Sequence, residues 1–277
     1  MALVYIGTSQ FAADLLILLS ERGIEPELVV SRPDAPKGRG RTLSPPPVAE
    51  LAIARGFELI QPEDVGEPSV ANRVAEVAGP GGHVVLCAYG ALIKGQLLDQ
   101  QPILNVHPSL LPRWRGAAPI ERAIQSGDEQ TGVSIMQLVA ELDAGPVYAQ
   151  RTVEIAPDDD YASLSHKLLG ESADLLATVL ESLPEPVPQA DEGVTYAERI
   201  VAADRTIDPT DAELAERTVR ALHPHIGARL ALPSGDMLGV ESARVEEGRL
   251  ELLAVKPPGG RTMSYEDYVR GYGPIDL

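Results

Sequence analysis

The chain opens on a short apolar run, residues 3–6, that stops at Gly7; a run of this length closed by a glycine predicts a buried strand. Phe11, Leu15, Leu18 and Leu19 then recur at helical spacing as far as Gly23, and residues 28–30 predict the next strand. The alternation continues, with helices over 48–55, 70–78 and 120–126 and strands over 84–86, 103–106, 133–138 and 148–155. Residues 162–183 predict a long amphipathic helix with Leu164, Leu168, Leu175, Leu176 and Leu180 on one stripe. Strands alternating with helices imply an α/β domain built on a mostly parallel sheet covered on both faces.

Pro184, Pro186 and Pro188 stop the long helix and stiffen the stretch after it. Beyond them a helix over 214–221 precedes three short strands, 229–232, 237–243 and 249–255, joined by glycine-containing turns, the pattern of a small β-barrel. The expected division is therefore a first domain over 1–183, a linker over 184–194 and a C-terminal domain over 195–277. Residues 31–47 carry Pro33, Pro36, Gly38, Gly40 and the Pro45-Pro46-Pro47 run, and predict a long loop without structure of its own.

Composition narrows the function. A single cysteine, Cys87, leaves no intrachain disulfide and no multi-cysteine zinc site, which fits a reducing compartment. No apolar run approaches the ~20 residues of a membrane span, and the first residues lack the basic segment of a signal peptide. A cytoplasmic protein with no membrane partner is expected. The 277-residue chain has a formal net charge of −18, a field that repels phosphates, so a nucleic-acid partner must be met by a local basic patch. The acid is concentrated: residues 154–193 hold ten acidic side chains against Lys167 alone. The basic spots are Arg113 with Arg115, and Arg32, Lys37, Arg39 and Arg41 against Asp34. A charge run is usually a solvated face, but this second one lies in the long loop, and such loops are commonly functional.

Several chemistries are excluded by missing motifs. The first strand is followed by Gly7-Thr8-Ser9-Gln10-Phe11 rather than G-x-G-x-x-G, which argues against a nicotinamide-dependent dehydrogenase. There is no phosphate-binding G-x-x-x-x-G-K-[ST], no H-E-x-x-H and no G-x-S-x-G. His223-Pro224-His225 has no adjacent carboxylate cluster to complete a metal site; no metal is expected, and the pair reads as loop or core.

The informative segment is 103–120. Asn105 and His107 stand two apart at the end of an apolar run, so in a strand they share a face at the carboxyl edge of the sheet, where open α/β sheets bind ligands. An amide that donates hydrogen bonds beside an imidazole that moves protons suits acyl transfer. Pro108 separates His107 from Ser109, so the motif offers no nucleophile and favours direct transfer to a substrate nucleophile. The same residues also fit a turn cap and a satisfied core histidine, and spacing alone does not separate the two readings.

From Asn105 to Ile120 the chain reads Asn-Val-His-Pro-Ser-Leu-Leu-Pro-Arg-Trp-Arg-Gly-Ala-Ala-Pro-Ile. This closely resembles the signature of the folate-dependent formyltransferases, and most of all the branch that acts on initiator tRNA. The resemblance spans nearly the whole chain. It takes in Gly7-Thr8 with Phe11-Ala12, the basic stretch from Ser31 to Arg41, and Ala88-Tyr89-Gly90. It continues through residues 131–136 and 142–146, and on to Thr195-Tyr196-Ala197, Ile207-Asp208, residues 220–222 and Pro257-Pro258-Gly259.

It implies a Rossmann-like catalytic domain followed by an OB-like barrel, a monomer, and three catalytic residues: Asn105, His107 and Asp143. By itself Asp143 is only a turn residue before Gly145; the resemblance places it beside the other two, where a carboxylate orients the imidazole. The implied donor is 10-formyltetrahydrofolate, held by Ala88, Tyr89, Gly90, Ser109, Leu110, Leu111 and Pro112. The implied acceptor is the α-amino group of methionine on initiator tRNA, with Arg32, Lys37, Arg39 and Arg41 on the acceptor stem. Alternatives within the same fold use a sugar amine, a ribonucleotide amine or water as acceptor, or bind folate or RNA without catalysis. The chain departs from the family in two respects. His223-Pro224-His225 stands where an aromatic-rich Asn-Pro-Trp-Pro-type turn is usual, and residues 241–277 hold five basic against seven acidic side chains.

Overall fold

A computed structural model of the chain describes residues 2–37 and 41–275. In chain order the elements begin β1 (Leu3–Gly7), α1 (Gln10–Glu21), β2 (Leu28–Val30), β3 (Ala35–Lys37), β4 (Thr42–Ser44), α2 (Pro47–Arg55) and β5 (Leu59–Ile60). There follow α3 (Pro68–Ala78), β6 (His83–Cys87), α4 (Gln96–Gln100), β7 (Ile103–His107), β8 (Arg115–Gly116), α5 (Pro119–Ser126), β9 (Gln130–Gln137) and β10 (Val147–Glu154). The last are α6 (Tyr161–Ser182), β11 (Tyr196–Ala197), α7 (Ala212–Leu222), β12 (Ala228–Ala231), β13 (Met237–Glu246), β14 (Arg249–Lys256), β15 (Met263–Ser264) and α8 (Tyr265–Tyr272). Two compact units result. The first is Met1–Arg115, Gly132–Thr152 and Lys167–Val194; the second is Gly116–Thr131, Val153–His166 and Thr195–Leu277.

The first unit is built on a sheet of order β10-β9-β7-β6-β1-β2-β5. β1 pairs in parallel with β2 and with β6, and β6 in parallel with β7. The fold is thus mixed α/β with a mostly parallel sheet, as the alternation of elements predicts. The apolar runs are continuous because both faces are covered. Val4, Ile6, Leu28, Val30, Val84 and Leu86 form one buried face with Val70 and Val74 of α3 and Leu97 of α4. Tyr5 points to the other face, where its hydroxyl donates to the carbonyl of Ala12 in α1 at 2.7 Å. Ser9 caps α1 by accepting from the Ala12 N–H. Strand order reverses on either side of β1, and the crevice beyond the carboxyl ends of the strands there is the usual ligand position in such sheets.

The stretch 31–47 is not wholly irregular. β3 and β4 form an antiparallel pair in the register Ala35↔Ser44, Pro36↔Leu43 and Lys37↔Thr42. A two-stranded ribbon is all edge, so Pro36 costs it little, and the proline content that signals a loop does not exclude the pair. β5, α4 and α8 also form where periodicity over a few residues gives too little signal.

In the second unit α7, capped by the Asp211 carboxylate at the Leu214 N–H, lays Ala215, Val219 and Leu222 on an antiparallel sheet of order β12-β13-β14-β15. Leu230, Leu238, Val240, Leu252 and Val255 from the sheet and Tyr268 of α8 complete this core. In place of the expected closed barrel the described residues form an open antiparallel meander, in which the outer strands β12 and β15 are not paired with each other. No helix among the described residues is long and apolar enough to cross a membrane.

Candidate active site

β7 carries the two residues that its sequence places on one face. It pairs with β6 through Leu86↔Asn105, and antiparallel with β9 through Asn105↔Met136 and His107↔Ser134. Asn105 is 7% and His107 4% exposed. An amide and an imidazole buried among apolar strands cost several kcal/mol unless paired, roughly 2–7 for an amide-like group. The partner of the imidazole is the carbonyl of Trp114, 2.8 Å from Nε2. A carbonyl only accepts, so Nε2 carries the hydrogen, and Nδ1 is the ring nitrogen that gains or loses a proton. Nδ1 faces Asp143, 3.7 Å from Oδ2, while Asn105 Nδ2 lies 3.5 Å from Asp143 Oδ1. One carboxylate thus addresses both groups. Both separations exceed an ordinary hydrogen bond, so the three polar ends are gathered rather than locked.

Asp143 reaches this point from the β9–β10 connection. Leu138 N–H donates to the carbonyl of Ile103 at 2.8 Å, and Gln137 N–H donates to that of Pro146 at 2.8 Å, so the connection is pinned at both ends. Gly145 lets it close: a Cβ there would overlap the Gln137 carbonyl. Asp143 itself has φ 45° and Trp114 has φ 64°, both in the left-handed region that non-glycine residues seldom occupy. Such backbone costs about 1–3 kcal/mol per residue, and persists where the surroundings hold it.

Ala88, Tyr89 and Gly90 leave the carboxyl end of β6, beside the end of β7. Ala88 and Gly90 have positive φ, and Tyr89 is buried. Arg32 does not stand apart in the basic loop: its guanidinium donates to the Gly90 carbonyl at 3.2 Å and so ties that loop to the turn after β6. Arg41 is exposed with φ 49°. The side chain of Lys37, and Arg39 with its flanking Gly38 and Gly40, lie outside the described residues.

Ser109–Pro112 follow β7 directly. The Ser109 hydroxyl is buried and donates to the Arg113 carbonyl at 2.6 Å. Ser134 of β9 donates to the Ser109 carbonyl at 2.6 Å and accepts from the Leu111 N–H and the Gln150 side chain. The one thiol, Cys87, is fully buried, and burial pushes it up to about 12. Neither Ser109 nor Cys87 is therefore a working nucleophile, and the site supports transfer between two bound substrates.

Trp114, Ser134 and Gln189 shape the site without having been singled out by spacing. Trp114 lies inside the 105–120 motif; Gln189 carries no local signal at all. The His223-Pro224-His225 pair is engaged by carboxylates: His223 Nδ1 lies 3.0 Å from Asp160 Oδ2, and His225 Nε2 lies 3.0 Å from Glu121 Oε1. His225 also stacks on Tyr161 at 3.6 Å. Among the described residues no group of His, Cys, Asp and Glu is arranged to hold a metal.

Residues 1–180, which include Asn105, His107 and Asp143, match the family model described as Formyl transferase. The chain belongs to the formyl transferase family. Within that family, the methionyl-tRNA formyltransferase of Halorhodospira halophila is 40% identical over 299 residues, covering 97% of this chain and 96% of that protein. The fold is shared with solved structures. HypX from Aquifex aeolicus in complex with tetrahydrofolic acid superposes with a TM-score of 0.65 at 17% identity, over 97% of this chain and 47% of that one. A sugar N-formyltransferase from a Shewanella species gives a TM-score of 0.66 at 17% identity, over 89% of this chain and 99% of that one.

Proposed function

We propose that the chain transfers the formyl group of 10-formyltetrahydrofolate to the α-amino group of methionyl initiator tRNA, in translation initiation. The observation that carries the chemistry is the arrival of Asp143, far along the chain, within 3.7 Å of His107 and 3.5 Å of Asn105. Near full-length likeness to a methionyl-tRNA formyltransferase supports the acceptor.

The donor, when bound, supplies a formyl group on a nitrogen that can leave. The amide of Asn105 and the Nδ1–H of His107 hydrogen-bond the formyl oxygen as it becomes negative under attack by the amine. Asp143 takes up the proton that the amine sheds, directly or through a water, and orients the imidazole; the donor's C–N bond then breaks and that proton passes to the departing nitrogen. Ala88, Tyr89, Gly90 and Ser109–Pro112 line the donor side, at the carboxyl edge of the sheet. Arg32, Lys37, Arg39 and Arg41 meet the acceptor stem. Residues 1–183 house the transfer, and 195–277, of OB-like type, add backbone contacts to the tRNA. The protein works in the cytoplasm as a monomer.

The test is incubation with 10-formyltetrahydrofolate and charged initiator tRNA, alongside nucleotide-sugar amines and buffer alone. Formyl-methionine formed only with tRNA supports the reading. Formylated sugar, or free formate at the same rate without acceptor, replaces it.

A further inference from the structure

Gln189 lies in the proline-rich stretch after the long helix, yet its side chain reaches the loop that carries Asp143. Its Nε2 donates to the carbonyl of Asp143 at 2.8 Å and to that of Gly145 at 2.8 Å, one hydrogen to each. Its Oε1 accepts from Arg115, at 3.1 Å from Nε and 2.7 Å from Nη2. The opposite amide orientation would set NH2 against the guanidinium and oxygen against two carbonyls, so Arg115 fixes which end meets the loop. Arg115 is 8% exposed and follows Trp114, whose carbonyl holds His107. The contacts run from His107 to Trp114, along the chain to Arg115, across to Gln189 and on to the Asp143 backbone, whose carboxylate faces His107 and Asn105.

The geometry points to Gln189 as a positioning residue for formyl transfer, holding Asp143 at its left-handed backbone so that the carboxylate addresses both catalytic partners, with Arg115 as its anchor. This rests on the catalytic roles proposed above. The physical reason is simple. Two loop carbonyls that face inward need donors, and a residue at φ 45° keeps that conformation only while its neighbours hold it. A shift of about 1 Å in a reacting group costs on the order of a hundredfold in rate.

Gln189→Ala would leave the buried guanidinium under-satisfied and risk misfolding, so the informative variant is Gln189→Glu. It strengthens the contact with Arg115 and turns both loop contacts repulsive, because a carboxylate has no hydrogen to give. The variant is measured for kcat and KM with charged tRNA and 10-formyltetrahydrofolate, for melting temperature, and for amide exchange over residues 139–146.

The expected result is a kcat lowered roughly tenfold or more. Both KM values stay within about twofold, the melting temperature is unchanged or raised, and exchange quickens in that loop alone. An unchanged kcat, an unchanged loop, or a general rise in exchange with a falling melting temperature overturns the inference. Arg115→Lys, which loses the fork that grips Oε1, moves kcat and loop exchange the same way by less, and decides the matter should Gln189→Glu not fold. If the wild-type protein formylates no methionyl-tRNA, the proposed function fails, and the exchange comparison still reports on Gln189.

Discussion

The Nε2–H of His107 is committed to the carbonyl of Trp114, 2.8 Å away, so the edge of the imidazole left for the proposed chemistry is Nδ1. An asparagine at 107 would present an amide N–H near the Nδ1 position, whereas a glutamine would reach toward Trp114 instead. His107→Asn is expected to retain more activity than His107→Gln, with both losing about a hundredfold or more. Steady-state kinetics of the three proteins checks this; equal activity of the two variants would count against the assigned tautomer.

On the proposed mechanism, Asn105→Ala removes one donor from the forming oxyanion. The loss should be roughly 10²–10³ in kcat, with KM for the donor little changed. Steady-state kinetics with a folded variant decides it, and near-normal turnover would sink the assignment.

Gly145→Ala places a methyl group against the Gln137 carbonyl. The connection carrying Asp143 must then move. About 1–3 kcal/mol of stability should go, together with most of the activity. Chemical denaturation and single-turnover assays report the two effects separately.

Cys87 gives a prediction for alkaline pH. Its ordinary value of 9.0 is pushed by burial to about 12 in the fold. Below pH 9 the thiol is protonated whether the chain is folded or not, and contributes no pH dependence. As pH rises above 9 the unfolded thiol ionises and the folded one does not, so stability falls, by at most about 1.4 kcal/mol per pH unit. Cys87→Ala should flatten that slope between pH 9 and 10, and thiol reagents at pH 8 should label the wild type only after denaturation.

Replacing Arg39 and Arg41 with alanine is expected to weaken tRNA binding and to reduce the salt slope of log K by about 1–2, leaving the KM for the folate donor unchanged. Titrations at several salt concentrations measure it. Equal loss of both substrates would show that the loop supports the site rather than the tRNA.

The strands around the site are readable from the sequence because both faces of the sheet are buried, so their apolar runs are unbroken. Asn105 and His107 are readable as a pair because β7 puts alternate residues on one face. Asp143 is not: nothing in a turn before Gly145 says that it folds back 36 residues to His107, and only family likeness marks it. Gln189 is further still from local inference, since its donors act on backbone carbonyls, for which many side chains would serve. α8 does carry a readable start, in which Ser264 accepts from the Asp267 N–H. Its tyrosines at 265, 268 and 272 keep helical spacing, and the brevity of the segment hides it.

The chain passes between the two units five times, at 115/116, 131/132, 152/153, 166/167 and 194/195. A cut in the proline-rich stretch would therefore not release the second unit whole. It would strip α7 of the Gln125 carbonyl that takes the Arg217 guanidinium, His225 of Glu121, and His223 of Asp160. Each unit is assembled from three separated stretches of the chain, so neither half of the gene encodes either unit whole.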